Sequence, residues 1–243
     1  VIQTKALTKR FGSFTAVDKL DLEIVAGEIF GFLGANGAGK TTTIRILCGL
    51  LRPSSGLVRV NGLDIIKQSD RVKQSIGYMS QRFSLYPDLK ARENLEFYAG
   101  IYGTRYKQAL ANTSELLELF GLNRELDKLT SDLPMGFKQR LSLVCALVHD
   151  PPLVFLDEPT SGVDPQARRE FWQVISTLAG KGKTVIVSTH YMDEAEYCNR
   201  VMIMQQGRDV ASGKPAGLKQ RYKVEKMQDL FVKVLEESGV QIG

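Results

Sequence analysis

Through residues 1–30 apolar and polar side chains alternate (LTKRFGSFTAV, then LDLEIVAGEIF), a period of two that predicts antiparallel strands. The pattern then changes. EIFGFLGANGAGKTTTIRILCGLL, residues 28–51, reads as a short apolar strand, a glycine-rich loop and a helix with apolar periodicity. SGLVRVNGLDI, around Asn61-Gly62, predicts further strand. From Tyr86 to Leu129 the spacing turns helical (ENLEFYAGIY, ALANTSELLELFGL). Beyond it, PPLVFLDEP and KTVIVSTH are brief apolar runs bounded by proline and glycine, separated by the helical PQARREFWQVISTLAG. Alternating buried strands and helices predict a parallel sheet with helices outside, and the central helical block then reads as an inserted subdomain. No internal repeat or low-complexity linker interrupts the chain.

One stretch resists this scheme. TSDLPMGFKQRLSL, residues 130–143, is a turn followed by a helix start, with apolar residues recurring at Leu141, Val144, Cys145 and Val148. Amides at a helix N-terminus attract anions, yet Met135 and Phe137 flank its lone glycine, Gly136. An anion site, a damaged one and a plain helix cap all fit these residues.

A chain of 243 residues that is 43% hydrophobic can bury one large core, or a core with a subdomain. Its formal charge of +5, 32 basic against 27 acidic residues, suits a polyanionic ligand, an anionic membrane surface, or neither. No basic run interleaved with aromatics points to nucleic acid, and none is expected as a partner. The densest basic segment, KPAGLKQRYKVEK from Lys214, is expected to be a solvated face. Cys48, Cys145 and Cys198 are widely spaced in apolar contexts, as reduced structural thiols would be. There is no signal-peptide pattern and no apolar run near 18 residues, so the chain is not expected to span a membrane. It opens on Val1 within a strand, which suggests a piece of a longer polypeptide or an engineered start.

The chemistry concentrates in three places. Gly34-Ala35-Asn36-Gly37-Ala38-Gly39-Lys40-Thr41 fits G-x-x-x-x-G-K-[ST], with Thr42 following. Glycines let successive amides turn inward around phosphates. Lys40 is placed to reach the β- and γ-phosphates, Thr41 offers a hydroxyl to Mg²⁺, and the helix that follows presents its positive end. A functionless turn or a dinucleotide loop fits less well, since Lys-Thr has no role in the latter. In LVFLDEPTSGVD an apolar run from Leu153 to Leu156 delivers Asp157 and Glu158 at a strand's C-terminal end, where ligands of open α/β sheets bind. Asp157 is the candidate Mg²⁺ ligand and Glu158 the candidate base for an attacking water. His190, at the end of VIVSTH, becomes a candidate γ-phosphate sensor in that company.

These elements in this order, with IGYMSQ between them and LPMGFKQR before the acidic strand, resemble the ATPase domain of ABC transporters over about residues 3–213. The resemblance implies a P-loop NTPase (RecA-like) core with a parallel sheet, an antiparallel β-subdomain and an inserted α-helical subdomain near residues 86–140. A basic, helical tail, 214–243, follows a domain ending at 213. It further implies that two such domains pair head to tail around two ATP molecules. Phe11 then matches the aromatic that stacks on adenine, where the family more often has tyrosine, and Val17 lies by the ribose. Gln81 matches the glutamine that contacts Mg²⁺ and water and faces the membrane partner. Ser161-Gly162-Val163-Asp164 matches the loop that speaks across the dimer, and His190 the switch histidine. The odd stretch occupies the place of the Leu-Ser-Gly-Gly-Gln signature, which grips the partner's γ-phosphate: Leu133 and Gly136 remain, but Pro134, Met135 and Phe137 replace a serine, a glycine and the glutamine.

RFSLYPDLKARENLEFYAGIYG and the late helix MQDLFVKVLEE are similar to export ATPases of the ABC-2 class, drug exporters included. LPMGFKQR and SGVDPQARREFW most resemble the second ATPase half of bacterial Ybh-type tandem exporters. The implied function is MgATP hydrolysis driving export through a separate integral membrane permease. The implied location is cytoplasmic, on the inner face of the membrane. The degenerate signature implies a second ATPase domain with an intact one, in the same natural polypeptide. A soluble tandem ATPase acting on ribosomes would carry long inserts, which are not visible here. A non-hydrolysing regulatory module would not need Glu158.

Overall fold

A computed structural model describes residues 1–81 and 84–238. Arg82 and Phe83, which begin the exporter-like stretch, lie outside the described residues. Two sheets form. Strands β1 (Ile2–Phe11), β2 (Phe14–Ile24), β4 (Ser55–Val60) and β5 (Leu63–Asp64) make an antiparallel sheet in the order β2-β1-β4-β5. The β4–β5 hairpin turns on Asn61 and Gly62, with φ of 51° and 76°. Positive φ at both central residues is what a tight two-residue hairpin requires, and Asn-Gly adopts it readily.

The second sheet runs β10-β9-β3-β8-β7-β6, from β3 (Ile29–Leu33), β6 (Ile76–Met79), β7 (Leu153–Asp157), β8 (Thr184–Thr189), β9 (Arg200–Gln205) and β10 (Arg208–Gly213). Neighbours from β9 to β6 are parallel, and only β10 is antiparallel, on the edge. Its inner strands are buried on both faces, which explains their unbroken apolar runs. Phe30 and Phe32 of β3 and Phe155 of β7 enter one core, with the antiparallel sheet and α1 (Lys40–Leu47). Ile29, Leu33, Val154 and Leu156, one residue out of phase, enter the other. Short α2 (Ser69–Gln74) precedes β6.

The helical block is α3 (Ala91–Ile101), α4 (Tyr106–Leu119) and the start of α5 (Met135–Leu147). The expected subdomain end near 140 falls inside α5, whose residues Leu141–Leu147 are buried in the main core. Helix α6 (Pro165–Gly180) connects β7 to β8, capped by Asp164, whose Oδ1 accepts from Gln166 N at 2.9 Å and Ala167 N at 3.0 Å.

The boundary expected at 213 does not separate a tail. Helices α7 (Pro215–Tyr222) and α8 (Met227–Glu237) bury Leu218, Met227, Leu230, Val234 and Leu235, all but the last in the same core as α5 and α6. The basic residues occupy the outer faces, as Lys219 does in pairing with Glu196 at 2.6 Å. All three cysteines are buried and free. Among the described residues no helix is long and apolar enough to cross a membrane.

Candidate nucleotide site

The C-terminal ends of β3, β7 and β8 lie side by side, so the three motifs meet. At the end of β3 the glycines carry the loop. Gly34 has φ +152°, and a Cβ there would meet Met204 O at 2.5 Å. Gly39, at φ +106°, would drive one into Ala16 O at 2.6 Å. Neither position admits a side chain, and Gly39 stands directly before α1.

Lys40, 4% exposed, donates from Nζ to Gly34 O at 2.7 Å and Ala35 O at 3.1 Å, and lies 3.6 Å from Glu158 Oε1. Burial lowers its pKa, while Glu158 opposes that shift. Asp157 is fully buried, and its Oδ1 accepts from Ser188 Oγ at 2.5 Å and Thr41 Oγ1 at 3.0 Å. Burial raises its pKa, the two hydroxyls counteracting this. Its Oδ2 is buried without a partner.

That orphaned oxygen beside Thr41 fits Mg²⁺. A cation there would satisfy Oδ2 and relieve the desolvation that pushes Asp157 up. Among the described residues no group of three or more His, Cys, Asp or Glu could hold a metal alone. Mg²⁺ suits such a place, since it takes one or two protein oxygens and fills its octahedron with phosphate and water.

Glu158, 6% exposed, takes a left-handed φ of 52°. Ser188 holds it there: Glu158 N donates to Ser188 O at 3.1 Å and Ser188 Oγ at 3.0 Å. The carboxylate faces three groups. Besides Lys40, Gln81 Nε2 donates to Oε2 at 3.0 Å, and His190 Nδ1 stands 3.2 Å from Oε2 without the alignment of a hydrogen bond.

A cavity of about 300 Å³ opens over these groups, lined by Phe11, Phe14, Ala16, Asn36, Gly37, Gly39, Lys40, Thr41, Thr42, Gln81 and Glu158. Phe11 and Phe14 face each other across the β1–β2 turn and are 49% and 62% exposed. Val17 corrects the expectation of a ribose neighbour: it is fully buried in the core beneath the antiparallel sheet, and Ala16 takes the cavity wall. Phe14 is the rival aromatic to Phe11, while Ser188 was not anticipated; a serine late in a fully buried strand, two positions before His190, is the signal for it.

Phe11→Ala should weaken ATP more than inorganic triphosphate, because it removes a platform for the base and leaves the phosphate loop intact. Base–aromatic stacking contributes roughly 1–3 kcal/mol, about tenfold to a hundredfold in affinity. Titration of both ligands decides: equal losses would point to a folding defect, and loss with Phe14→Ala alone would move the platform to Phe14.

Leu133–Phe137 do not line this cavity. Pro134 is the N-cap residue of α5 and offers no side-chain cap, Met135 is 58% exposed, and a Cβ on Gly136 would meet open space. The start of α5 thus presents a hydrocarbon surface outward. The loop Ser161–Asp164 connects to it, for Gln139 Nε2 of α5 donates to Ser161 O at 2.8 Å. Gly162, at φ +75°, has open space where a side chain would be, and Asp164 is spent on capping α6.

A phosphate loop, a strand-end carboxylate pair and a histidine on a mostly parallel sheet define a P-loop nucleotide-binding domain. The sequence profile described as ABC transporter matches residues 17–161, more than half of the chain. The chain belongs to the ABC transporter family. It is 51% identical over 219 residues to the probable multidrug ABC transporter ATP-binding protein YbhF of Escherichia coli K12, a match covering 90% of this chain and 38% of that relative's length. It is 39% identical over 216 residues to the Nod factor export ATP-binding protein I of Cupriavidus metallidurans, covering 88% of this chain and 71% of that protein. Among solved structures, an ATP-binding subunit of an ABC transporter superposes with a TM-score of 0.88 at 28% identity, covering 96% of this chain and 99% of that one. The ATP-binding cassette MJ0796, a dimer in a post-hydrolysis state bound to ADP and Pi, gives 0.80 at 28% identity over 88% of this chain and 98% of that one.

Proposed function

We propose that this domain hydrolyses MgATP to drive export through a separate membrane permease, as one half of an unequal pair of cassettes. The observation that carries the hydrolytic reading is Glu158: a buried carboxylate in the mouth of a phosphate loop, facing Lys40, Gln81 and His190. When bound, Mg²⁺ on Thr41 and Asp157 supplies charge neutralisation for the phosphates. The chain's own groups do the rest. Lys40, now turned back onto Gly34 O and Ala35 O, has a better anion to bind once phosphates arrive. Glu158 then accepts the proton of a water held by Gln81, and His190 lies where it can donate to a γ-phosphate oxygen.

The permease reading draws on a second cleft of about 500 Å³ between the parallel sheet and α3, lined by Leu50, Ile76, Tyr78, Tyr98, Ile101 and Tyr102 with Ser80 and Ser84 along it. Leu50 and Ile101 are 46% and 56% exposed, an apolar surface suited to a cytoplasmic helix of the permease. Gln81 adjoins Ser80 and touches Glu158, so an occupant of the cleft would act one residue from the catalytic carboxylate.

Pairing is read from LPMGF. A proline and a methionine in place of a hydroxyl and an open backbone leave a partner's ATP poorly gripped. Two copies of this chain would make two weak sites. A cassette with an intact signature would instead complete the site on Lys40 and Glu158, leaving the site closed by LPMGF to hold ATP without efficient turnover. The chain alone should therefore show little ATPase activity. Pro134→Ser with Met135→Gly should raise it about tenfold or more at concentrations that favour self-pairing, since one oxyanion donor is worth about 10²–10³ in rate. The serine also supplies the missing helix cap, so the variant should not lose stability on that account. Rapid, concentration-dependent turnover by the unmodified chain would overturn the unequal pair.

A further inference from the structure

We infer that Arg168 and Glu194 are positioning residues for ATP hydrolysis, holding the loop of His190 in register with the strand end that carries Glu158. The inference rests on the hydrolytic reading above. Neither residue lines the nucleotide cavity, so each acts through others.

Glu194 lies in the 3-10 turn Met192–Tyr197 that follows β8, and it is fully buried. Its Oε1 accepts from Thr160 Oγ1 at 2.6 Å and stands 3.5 Å from Arg168 Nε. Thr160, itself fully buried, is two residues beyond Glu158. Arg168 belongs to the first turns of α6, directly after the loop Ser161–Asp164. Its guanidinium carbon sits 3.8 Å from the centre of the Tyr191 ring, and Nη1 lies 3.8 Å from Asp193 Oδ2. Tyr191 follows His190, and the two rings are 4.2 Å apart. One carboxylate and one guanidinium therefore join three segments: the end of β7, the start of α6 and the loop after β8.

A pair of this kind, its carboxylate fully buried and its guanidinium half-buried, is a poor device for stability alone. Desolvating both charges offsets most of their attraction, and apolar packing of the same volume does as well or better. Here two atoms are also unspent, for Glu194 Oε2 and Arg168 Nε are buried without a hydrogen bond. What the arrangement supplies is direction. A guanidinium set over the Tyr191 ring anchors that ring and hence the backbone beside His190, which an apolar contact would leave free to slide. The distance between His190 and Glu158 then depends on the Thr160–Glu194–Arg168 chain.

The test uses the paired assembly that turns over ATP, with Arg168→Met, Glu194→Gln and their combination. Expected is a fall in kcat of about tenfold or more, with KM for ATP within about twofold, since small misplacement of reacting groups costs up to about 100-fold in rate. Arg168→Lys, which keeps the charge but not the planar face, should fall between. Thr160→Val, which removes only the hydroxyl donor, should lose rate even if the Glu194 variant folds poorly. A second readout needs no turnover. The chain holds two histidines, His149 and His190, so the imidazole NMR signals lost in His190→Ala identify that ring. Arg168→Met and Glu194→Gln should shift or broaden those signals and leave those of His149 in place. Unchanged His190 signals in a folded variant overturn the positioning role, and displaced signals with unaltered kcat overturn its link to hydrolysis. A wild-type assembly without turnover counts against the hydrolytic reading itself, and the NMR arm then decides the positioning on its own.

Discussion

Glu158→Gln should leave MgATP bound and reduce its turnover by on the order of 10²-fold or more, the size expected when a general base is removed. The substitution keeps the shape of the side chain, and an amide oxygen can still accept from Gln81, which now reaches Oε2 at 3.0 Å. It cannot take a proton from water. Lys40 also loses the neighbour that opposes the lowering of its pKa, but bound phosphates replace that negative charge. Binding should therefore hold while catalysis fails, and a paired assembly should accumulate its closed, ATP-loaded form. Turnover measured beside equilibrium nucleotide binding checks this. Near-normal hydrolysis would assign the base to another residue, and a parallel loss of binding would make Glu158 a structural partner of Lys40.

Lys40→Ala should abolish tight MgATP binding. The ammonium is held within the loop it serves, on Gly34 O and Ala35 O, and it is the cation paired with Glu158. Without it the phosphates would be met by neutral amides and by two buried carboxylates, Asp157 and Glu158. A hydrogen bond to a charged group contributes about 1.5–3 kcal/mol, so each such bond lost should lower affinity by about tenfold to a hundredfold. The variant should still fold, since Lys40 occupies the loop's concave side and not the core beneath it. Thermal unfolding with and without MgATP separates the two effects: the parent should gain stability as ligand saturates it, and the variant should not. Equal ligand-induced shifts would show that nucleotide binds elsewhere.

What the sequence made legible was set by how tightly local chemistry restricts the backbone. Gly34 and Gly39 admit no side chain, so the loop announces itself in the residues it excludes. Asp157 and Glu158 end a strand buried on both faces, and LVFL says so without help from the rest of the chain. Val17 shows where such reading stops. The β1–β2 pairing carries register shifts between Thr4 and Leu7, Leu7 and Lys9, and Lys9 and Arg10, and each shift of one residue exchanges inward for outward. The face that Val17 takes is therefore decided by its partner strand. Strands β9 and β10 are faint in the sequence because VMIMQQGRDVASG lacks β-branched residues beyond two valines and one isoleucine. What makes them strands is the β3 edge waiting to be paired. At the C-terminus the helix MQDLFVKVLEE was legible but its docking was not: Met227, Leu230 and Val234 stand at helical spacing and are buried in a core built from residues far back in the chain.

The left-handed backbone at Glu158 has a cost that the fold carries even when idle. A residue other than glycine in that region gives up of order 1–3 kcal/mol, and here the two hydrogen bonds from its amide to Ser188 keep it in place. Glycine at this position would relax the turn and remove the proposed base. A screen that rewards heat resistance alone is thus drawn toward erasing that group. On the role proposed for Glu158, position 158 is where turnover and stability pull in opposite directions.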